Sequence, residues 1–208
     1  MNVLVIAPHP DDEAIGCGGT LCLHADRGDR VVAVFLTSGE LGLKKMPRQE
    51  AWKIREQEAR RAAKTLGLAD TIFLRQPDWF LSDHVTEAAA ALSPVLKAQA
   101  PARIYLPHER DSHRDHRTAL LILRAALKRG GLREPALRGY EVWTPISRFH
   151  EVQDISTVMA RKLRAIRAHR SQLEAFDYAR AVRGLNEYRG ELAAKSRYAE
   201  VFETLSRK

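Results

Sequence analysis

The sequence predicts an α/β fold in which helices cover both faces of a mostly parallel sheet. Short, β-branched apolar runs alternate with longer amphipathic stretches, which is the pattern of strand–helix–strand units. With 208 residues, of which 45% are hydrophobic, the chain is long enough for one sizeable core. Because no linker, internal repeat or low-complexity segment interrupts the alternation, we predict one domain over residues 1–208.

The first two thirds of the chain carry the clearest alternation. Continuous apolar runs predict buried strands, and glycines after the amphipathic stretches mark the helix ends. Gly28 ends the first predicted helix and Gly67 the second. The predicted strands are residues 3–7, 31–36, 71–74, 103–106 and 140–143, and the predicted helices are residues 13–27, 50–66, 86–98 and 115–128.

The pattern is looser in the last third. We predict a further strand at residues 149–155 and a helix at residues 156–170, with Ser156 as its N-cap. Residues 173–205 are predicted to be helical with a break at Gly184. The fold is therefore expected to end in a C-terminal helical segment.

Three strongly polar stretches directly follow predicted strands. PHPDDE follows the first strand, TSGE the second and PHERDSHRDH the fourth. In an open parallel α/β sheet, ligands bind beyond the carboxyl ends of the strands, and all three stretches fall there. The topology therefore predicts a ligand site at one edge of the sheet.

Two of these stretches contain the residue types of a metal centre. His9 and Asp12 are three positions apart in the first turn, and HRDH runs from His113 to His116. Two histidines and one carboxylate leave the fourth position of a tetrahedral zinc open, as in catalytic sites. Asp11 then makes sense as a general base beside the metal. The alternative for each stretch is an acidic helix N-cap.

Together these motifs closely resemble the LmbE-like (PIG-L) family of zinc-dependent de-N-acetylases. The resemblance rests on PHPDDE with the following GCGGT, the TSGE loop, the REQEA helix that ends in Leu66 and Gly67, and HRDH. It covers residues 3 to about 120 and continues more weakly to residues 188–190. The resemblance implies a Rossmann-like three-layer sandwich. It also implies a hydrolase that removes the N-acetyl group from an N-acetylglucosamine-containing small molecule.

The resemblance implies a role for each matching residue. Asp11 matches the general base, and His113 matches the histidine that polarises the amide carbonyl, stabilises the oxyanion and can protonate the leaving amine. Asp115 matches the acid that holds this histidine in its tautomer. The zinc ligands of the family are matched by His9, Asp12 and His116. Histidine and carboxylate ligands also accept Fe²⁺, Co²⁺ or Ni²⁺, so the resemblance to zinc enzymes does not fix the metal.

Three further residues are candidates for substrate binding. Arg55 and Asp78 fall where members of the family contact the sugar or the acetate. Trp79 follows the third predicted strand and offers an aromatic face for a pyranose ring. The alternative for Trp79 is a core or lid aromatic.

Other classes of function fit the sequence less well. Lys and Arg outnumber Asp and Glu by 34 to 26, so a basic nucleic-acid-binding protein is one alternative. Such a protein would have aromatic residues interleaved with its basic ones, whereas aromatic residues make up only 7% of this chain and are not interleaved. A dinucleotide-binding protein also fits poorly, because the GCGG run lacks the G-x-G-x-x-G spacing of such proteins and follows acids that would repel a pyrophosphate. We therefore predict a small amino-sugar conjugate as the partner. A deacylase of another amide, such as an antibiotic or thiol-precursor intermediate, stays open.

Cysteine usage and the N-terminus indicate the compartment. Cys17 and Cys22 form no paired-thiol motif and are predicted to be buried thiols in a reducing environment. The N-terminus has no basic region, and its apolar run is too short for a signal peptide or a membrane span. We predict a cytoplasmic protein without membrane contact. The helical last third could pack on its own sheet or on another copy, as a homo-oligomer.

Overall fold

A seven-stranded sheet forms the centre of the computed structural model, which describes residues 1–205. The strands are β1 (Asn2–Ala7), β2 (Arg30–Thr37), β3 (Asp70–Gln76), β4 (Arg103–Pro107), β5 (Ala136–Tyr140), β6 (Glu151–Asp154) and β7 (Ala199–Thr204). They are ordered β3-β2-β1-β4-β5-β7-β6. The first five pair in parallel, and β7 pairs antiparallel with β5 and β6. The predicted mostly parallel sheet is confirmed.

Helices cover both faces of this sheet. They are α1 (Asp12–Asp26), α2 (Arg48–Leu66), α3 (Val85–Gln99), α4 (Arg114–Gly130), α5 (Met159–Ile166), α6 (Arg170–Leu173) and α7 (Tyr178–Arg189). Alternate residues of β1 pack against the helices on opposite faces of the sheet, because successive side chains of a strand point to opposite faces. Val3 and Val5 pack with α1, α2 and α5, whereas Leu4 and Ile6 pack with α3 and α4. The predicted three-layer arrangement is confirmed. Within residues 1–205, no helix combines the length and the hydrophobicity that crossing a membrane requires.

The predicted helix at residues 173–205 is wrong over its last part. Residues 199–204 form β7, and the helical part of this segment ends with a π-helical turn at Gly190–Ala194. The backbone of β7 is bonded on both sides, to β5 and to β6. Pairing with two neighbouring strands overrides the weak local helix preference on which the prediction depended.

Two other boundaries in the last third also differ from the prediction. β5 lies at residues 136–140 rather than 140–143. Ser156 does not cap a helix, because its hydroxyl donates to Asp154 in a local turn (2.6 Å) and α5 begins only at Met159, after Val158. The predicted helix at 156–170 is therefore divided into α5 and the start of α6.

The strand order places a crevice beside β1. The chain moves outward from β1 to β2 and β3 on one side, and from β4 to β5 on the other. The reversal between β1 and β4 is a topological switch point, where doubly wound sheets bind ligands. The loops that leave these two strands are PHPD and HERDSH.

A buried ion pair holds the second half of α1, which is kinked at Cys17 (φ −140°). The carboxylate of Glu200 in β7 accepts hydrogen bonds from the backbone N–H groups of Gly19 and Thr20, each 2.8 Å long, and from Lys162 (2.7 Å). It thus satisfies amides that the kink leaves without partners inside the helix.

Candidate active site

Three potential metal-ligand atoms meet at the crevice between β1 and β4. They are Nδ1 of His9, Oδ2 of Asp12 and Nε2 of His116, and each lies 3.3 Å from the other two. A tetrahedral zinc with bonds of about 2.0–2.1 Å separates two of its ligands by about 3.3–3.4 Å. The three atoms therefore have the spacing of one face of a tetrahedral site. These residues fit a divalent cation.

His113 offers a competing nitrogen, since ring nitrogens of His9, His113 and His116 lie within 4.8 Å of one another. Nδ1 of His113, however, accepts a hydrogen bond from the backbone N–H of Asp115 (3.2 Å) at the start of α4. The set that contains Asp12 is tighter and has the tetrahedral spacing. We therefore assign His113 a position beside the metal-ligand set rather than in it.

In both His9 and His116, the ring nitrogen that is not a potential metal ligand lies beside a carboxylate. Nε2 of His9 lies 3.2 Å from Asp78 Oδ1 and 3.3 Å from Asp115 Oδ2. Nδ1 of His116 lies 3.3 Å from Asp111 Oδ1. A carboxylate at the second nitrogen fixes the ring orientation of a ligating histidine and raises its basicity.

Asp111 is the supporting residue that the sequence analysis missed. Besides His116, its carboxylate accepts hydrogen bonds from the backbone N–H groups of His113 (2.9 Å), Trp143 (3.0 Å) and Thr144 (3.2 Å). It therefore joins the loop after β4 to the loop after β5. The available signal was a third acid two residues before His113, in the same polar stretch.

Replacement of Asp111 by alanine should weaken metal binding by about 10–100-fold, the usual effect of losing a supporting carboxylate. The reason is that His116 would lose the group that orients its ring. Competition with a chromophoric chelator measures the change. Unaltered metal affinity in a folded Asp111→Ala protein would contradict this role.

The N-cap alternative is wrong for the side chains of Asp11, Asp12 and Asp115. Asp11 stands at the N-cap position of α1, but its side chain makes no capping hydrogen bond, and its φ of 129° is strained for a non-glycine residue. Asp12 accepts from the backbone N–H of His9 (2.8 Å) instead of from the helix. Asp115 accepts from the N–H groups of Trp79 (2.8 Å) and Leu81 (3.3 Å).

Asp11 is held by a buried arginine. Nη2 of Arg55 lies 3.1 Å from Asp11 Oδ2 and donates to the carbonyl of Pro10 (2.7 Å), while Nη1 donates to the carbonyl of Gly39 (2.9 Å). Gly39 has φ +64°, and a Cβ atom there would lie 2.0 Å from the guanidinium, so this close approach requires glycine. Burial raises the pKa of Asp11 to about 6, although the positive charge of Arg55 opposes the shift.

His113 is neutral at neutral pH. Burial, together with the nearby positive charges of His9 and His116, lowers the pKa of its imidazole to about 4. Because Nδ1 accepts the hydrogen bond from the Asp115 backbone, the ring proton lies on Nε2. The backbone of Asp115 thus sets this tautomer. Among the described residues, the side chain of Asp115 contacts His9 and the loop at residues 79–81 instead.

The structure brings the nine predicted site residues together around one cavity of about 670 Å³. His116 and Asp115 are fully buried beneath it. The remaining seven line it: His9, Asp11, Asp12, Arg55, Asp78, Trp79 and His113. The Trp79 ring is half-exposed, and its centroid lies 4.5 Å from that of His113. The roles assigned to these residues stay predictions.

Aromatic residues of the last third complete the cavity, and the sequence analysis missed them. Trp143, Phe176 and Tyr178 contact one another with ring centroids 5.8–6.2 Å apart, and we call them the aromatic cluster. Burial, with the negative charge of Asp11, raises the pKa of Tyr178 to about 12. The only available signal was the FDY run inside the stretch predicted to be helical with a break at Gly184.

Metal binding is expected to release protons. Burial alone would lower the pKa of His116, but the charge of Asp12 and hydrogen bonds to Asp111 and Asp12 outweigh it and raise the pKa to about 9 in the metal-free protein. His116 is therefore protonated at pH 7 and must lose its proton to ligate a metal, so the apparent affinity should rise with pH up to about 9. Calorimetry in buffers of different ionisation enthalpy counts the protons. Binding without proton release between pH 6 and 8 would contradict this account.

The fold and the site define the class of protein: an α/β protein with two histidines and one carboxylate at the spacing of metal ligands beside a topological switch point, and with a second buried carboxylate, Asp11, lining the same cavity. The family model described as GlcNAc-PI de-N-acetylase, PIG-L, matches residues 4–127. The chain belongs to this PIG-L family of de-N-acetylases.

Curated relatives extend the similarity over most of the chain. The chain is 32% identical over 196 residues to diacetylchitobiose deacetylase of Thermococcus kodakarensis, which covers 82% of this chain and 70% of that protein. It is 30% identical over 187 residues to a probable N-acetyl-alpha-D-glucosaminyl L-malate deacetylase 2 of Bacillus cereus, with 84% of each covered. The match to the uncharacterized deacetylase YaiS of Escherichia coli is 33% identical over 120 residues, 55% of this chain and 62% of that protein.

Solved structures show the same fold. The N,N'-diacetylchitobiose deacetylase of Pyrococcus horikoshii superposes with a TM-score of 0.84 at 27% identity, over 98% of this chain and 83% of that one. GalB of Pseudomonas putida, a 4-carboxy-2-hydroxymuconate hydratase, superposes with a TM-score of 0.79 at 22% identity, over 100% and 98%. The similarity to GalB, at 22% identity, is one of fold alone. Because one fold can host different reactions, the reaction of this chain is inferred from the residues of its site.

Proposed function

We propose that this protein hydrolyses the N-acetyl group of an N-acetylglucosamine-containing small molecule, with Zn²⁺ held by His9, Asp12 and His116. The observation that carries the proposal is the set of three ligand atoms, each 3.3 Å from the others, at a cavity that Asp11 also lines. Relatives named for deacetylation of glucosamine derivatives support the amino sugar as the substrate class.

The metal supplies Lewis acidity, which acidifies water and polarises a carbonyl oxygen. Asp11 takes a proton from the attacking water, and its pKa of about 6 leaves it mostly ionised at neutral pH. Arg55 keeps this carboxylate in place and resists its protonation before substrate binds. The strained backbone of Asp11 is consistent with a position that catalysis, rather than folding, requires.

His113 donates its Nε2–H to the acetyl oxygen as negative charge develops there. A neutral imidazole with its other nitrogen occupied by a backbone N–H is suited to this role. When the C–N bond breaks, the proton held by Asp11 passes to the leaving amine. One water and one amide thus give acetic acid and the amine, which exchange the remaining proton to become acetate and the protonated amine, and Asp11 is ionised again.

We propose that Trp79 packs against the sugar ring, since its half-exposed ring forms the cavity wall beside His113. Arg55 and Asp78 lie deeper. Most of the donors of Arg55 are engaged by Asp11 and backbone carbonyls, and Asp78 accepts from the N–H of Leu41 (2.9 Å) beside His9. Their proposed contribution to substrate binding is to shape the end of the cavity.

The metal and the compartment are further parts of the proposal. The donor set of two imidazoles and one carboxylate suits Zn²⁺ and also accepts Fe²⁺, Co²⁺ or Ni²⁺. We propose a cytoplasmic enzyme, which the two free, buried cysteines support. A small amino-sugar conjugate remains the proposed partner.

Acetate release from a substrate panel tests the proposed function. The panel contains N-acetylglucosamine, its alkyl and sugar conjugates, and N-acetyl amides without a sugar. We expect the zinc-loaded protein to release acetate from the sugar compounds and the chelator-treated protein to release none. Release only from the amides without a sugar would instead support a deacylase of another class.

A further inference from the structure

A second cavity opens from the active site behind the aromatic cluster. Its volume is about 360 Å³, and it lies between the start of α1, the segment after β5 and α7. We call it the side groove. Five residues line both the side groove and the main cavity, so the two are continuous: Ile15, Val142, Trp143, Phe176 and Tyr178.

The two buried polar side chains of the side groove, Glu141 and Asn186, are already engaged by other protein groups, and the exposed Asp177 accepts a hydrogen bond from the backbone N–H of Arg180 (3.0 Å). Glu141 pairs with Arg189 and accepts a hydrogen bond from the N–H of Ile146 (2.6 Å). Asn186 accepts from Lys162 (2.8 Å) and donates to the carbonyl of Ala199 (3.0 Å). Apart from Asp177, the side chains that remain for a ligand are apolar or aromatic.

Two large aromatic rings are exposed where the cavities meet. Trp143 is 46% exposed and Phe176 is 58% exposed, although both contact Tyr178. Exposed aromatic rings that flank a groove are typical of a surface that a ligand covers. Their position at the entrance means that a group entering the side groove belongs to a molecule already bound in the main cavity.

We propose that the side groove is a subsite for an apolar group, alkyl or aromatic, attached to the amino sugar. This inference rests on the proposed function and narrows its substrate class. A second sugar ring fits less well, because its hydroxyl groups would lose water and find the buried Glu141 and Asn186 already engaged. An apolar group gains free energy by leaving water for this surface.

Binding of deacetylated products tests the subsite without depending on turnover. Calorimetry on the zinc-loaded protein compares methyl glucosaminide, hexyl glucosaminide and the glucosamine disaccharide chitobiose. We expect hexyl glucosaminide to bind at least about tenfold more tightly than the methyl compound, from the burial of several methylene groups. Equal dissociation constants for the two, or tightest binding of chitobiose, would overturn the proposal.

Two matched variants locate the effect. Ala181 lines the side groove and is absent from the main cavity, whereas its neighbour Arg180 is exposed and lines neither. Ala181→Phe should fill the groove and reduce the hexyl-to-methyl affinity ratio to about one, and Arg180→Phe, with the same added ring, should keep the wild-type ratio. Leu185→Gln places an amide in the groove and provides a second variant if Ala181→Phe does not fold.

The outcomes separate the two proposals. A ratio that survives both Ala181→Phe and Leu185→Gln would overturn the subsite. Lack of acetate release from every sugar substrate would contradict the proposed function, while the affinity ratio of the products would still decide whether the groove binds an apolar group.

Discussion

Asp11→Asn should lower kcat/KM for deacetylation by about 10²–10⁴-fold, the range that a general base contributes, and leave the bound metal in place. The amide has nearly the same size as the carboxylate but cannot accept the proton of the attacking water. Asp11 is not one of the three ligand atoms, so elemental analysis should find the same metal content as in the wild type. Steady-state acetate release gives the rate.

Asp83→Asn is the matched control for this change. Asp83 is an exposed carboxylate at the end of the short helical turn Leu81–Asp83. Its side chain contacts Arg114 and Ser82 and does not line the cavity. Its substitution should leave kcat/KM within about twofold, as expected for a surface change. Full activity of Asp11→Asn would remove Asp11 from the role of base, and loss of metal from it would make Asp11 a ligand.

His116→Ala should abolish tight metal binding, with a loss of more than about 100-fold in affinity, beyond the effect of a supporting residue. His116 is fully buried, and its Nε2 is one of three ligand atoms, so alanine leaves two ligands and a space without a donor. Activity should fall with metal content. Chelator competition and elemental analysis of the purified protein measure both the affinity and the content.

His24→Ala is the control for the loss of a buried histidine. His24 is also almost fully buried, but its ring lies between Asp29 (2.7 Å) and the hydroxyl of Tyr105 (2.9 Å), away from the cavity. That variant should keep its metal even where it loses thermal stability. Normal metal affinity in His116→Ala would mean that the site is built from other residues.

The sequence was sufficient to predict the layers of the fold and the convergence of the motif residues on one cavity. Apolar runs and glycine stops are local signals, and they placed β1 to β4 and α1 to α4 within a few residues. PHPDDE and HRDH each fix residue types at short spacing, and the parallel topology brings them to one crevice. This is why His9 and Asp12 could be predicted to lie beside His116, although more than a hundred residues separate them in the sequence.

Contacts between segments that are distant in the sequence could not be predicted from it. β7 exists because β5 and β6 bond to it, and the supporting contact of Asp111 with His116 depends on the exact course of the loop after β4. For the same reason, the carboxylate of Asp115 was predicted to hold His113 but contacts His9 in the structure. The aromatic cluster joins residues 143 and 176–178 across two loops, so neither segment signals it alone.

The most direct test of the metal site is a crystal structure of the zinc-loaded protein with anomalous scattering recorded at the zinc edge. The account predicts one peak bonded to Nδ1 of His9, Oδ2 of Asp12 and Nε2 of His116, at about 2.0–2.2 Å. It also predicts that His113 is not a ligand. A zinc bound by the three imidazoles of His9, His113 and His116 without Asp12, or bound outside this crevice, would contradict the account.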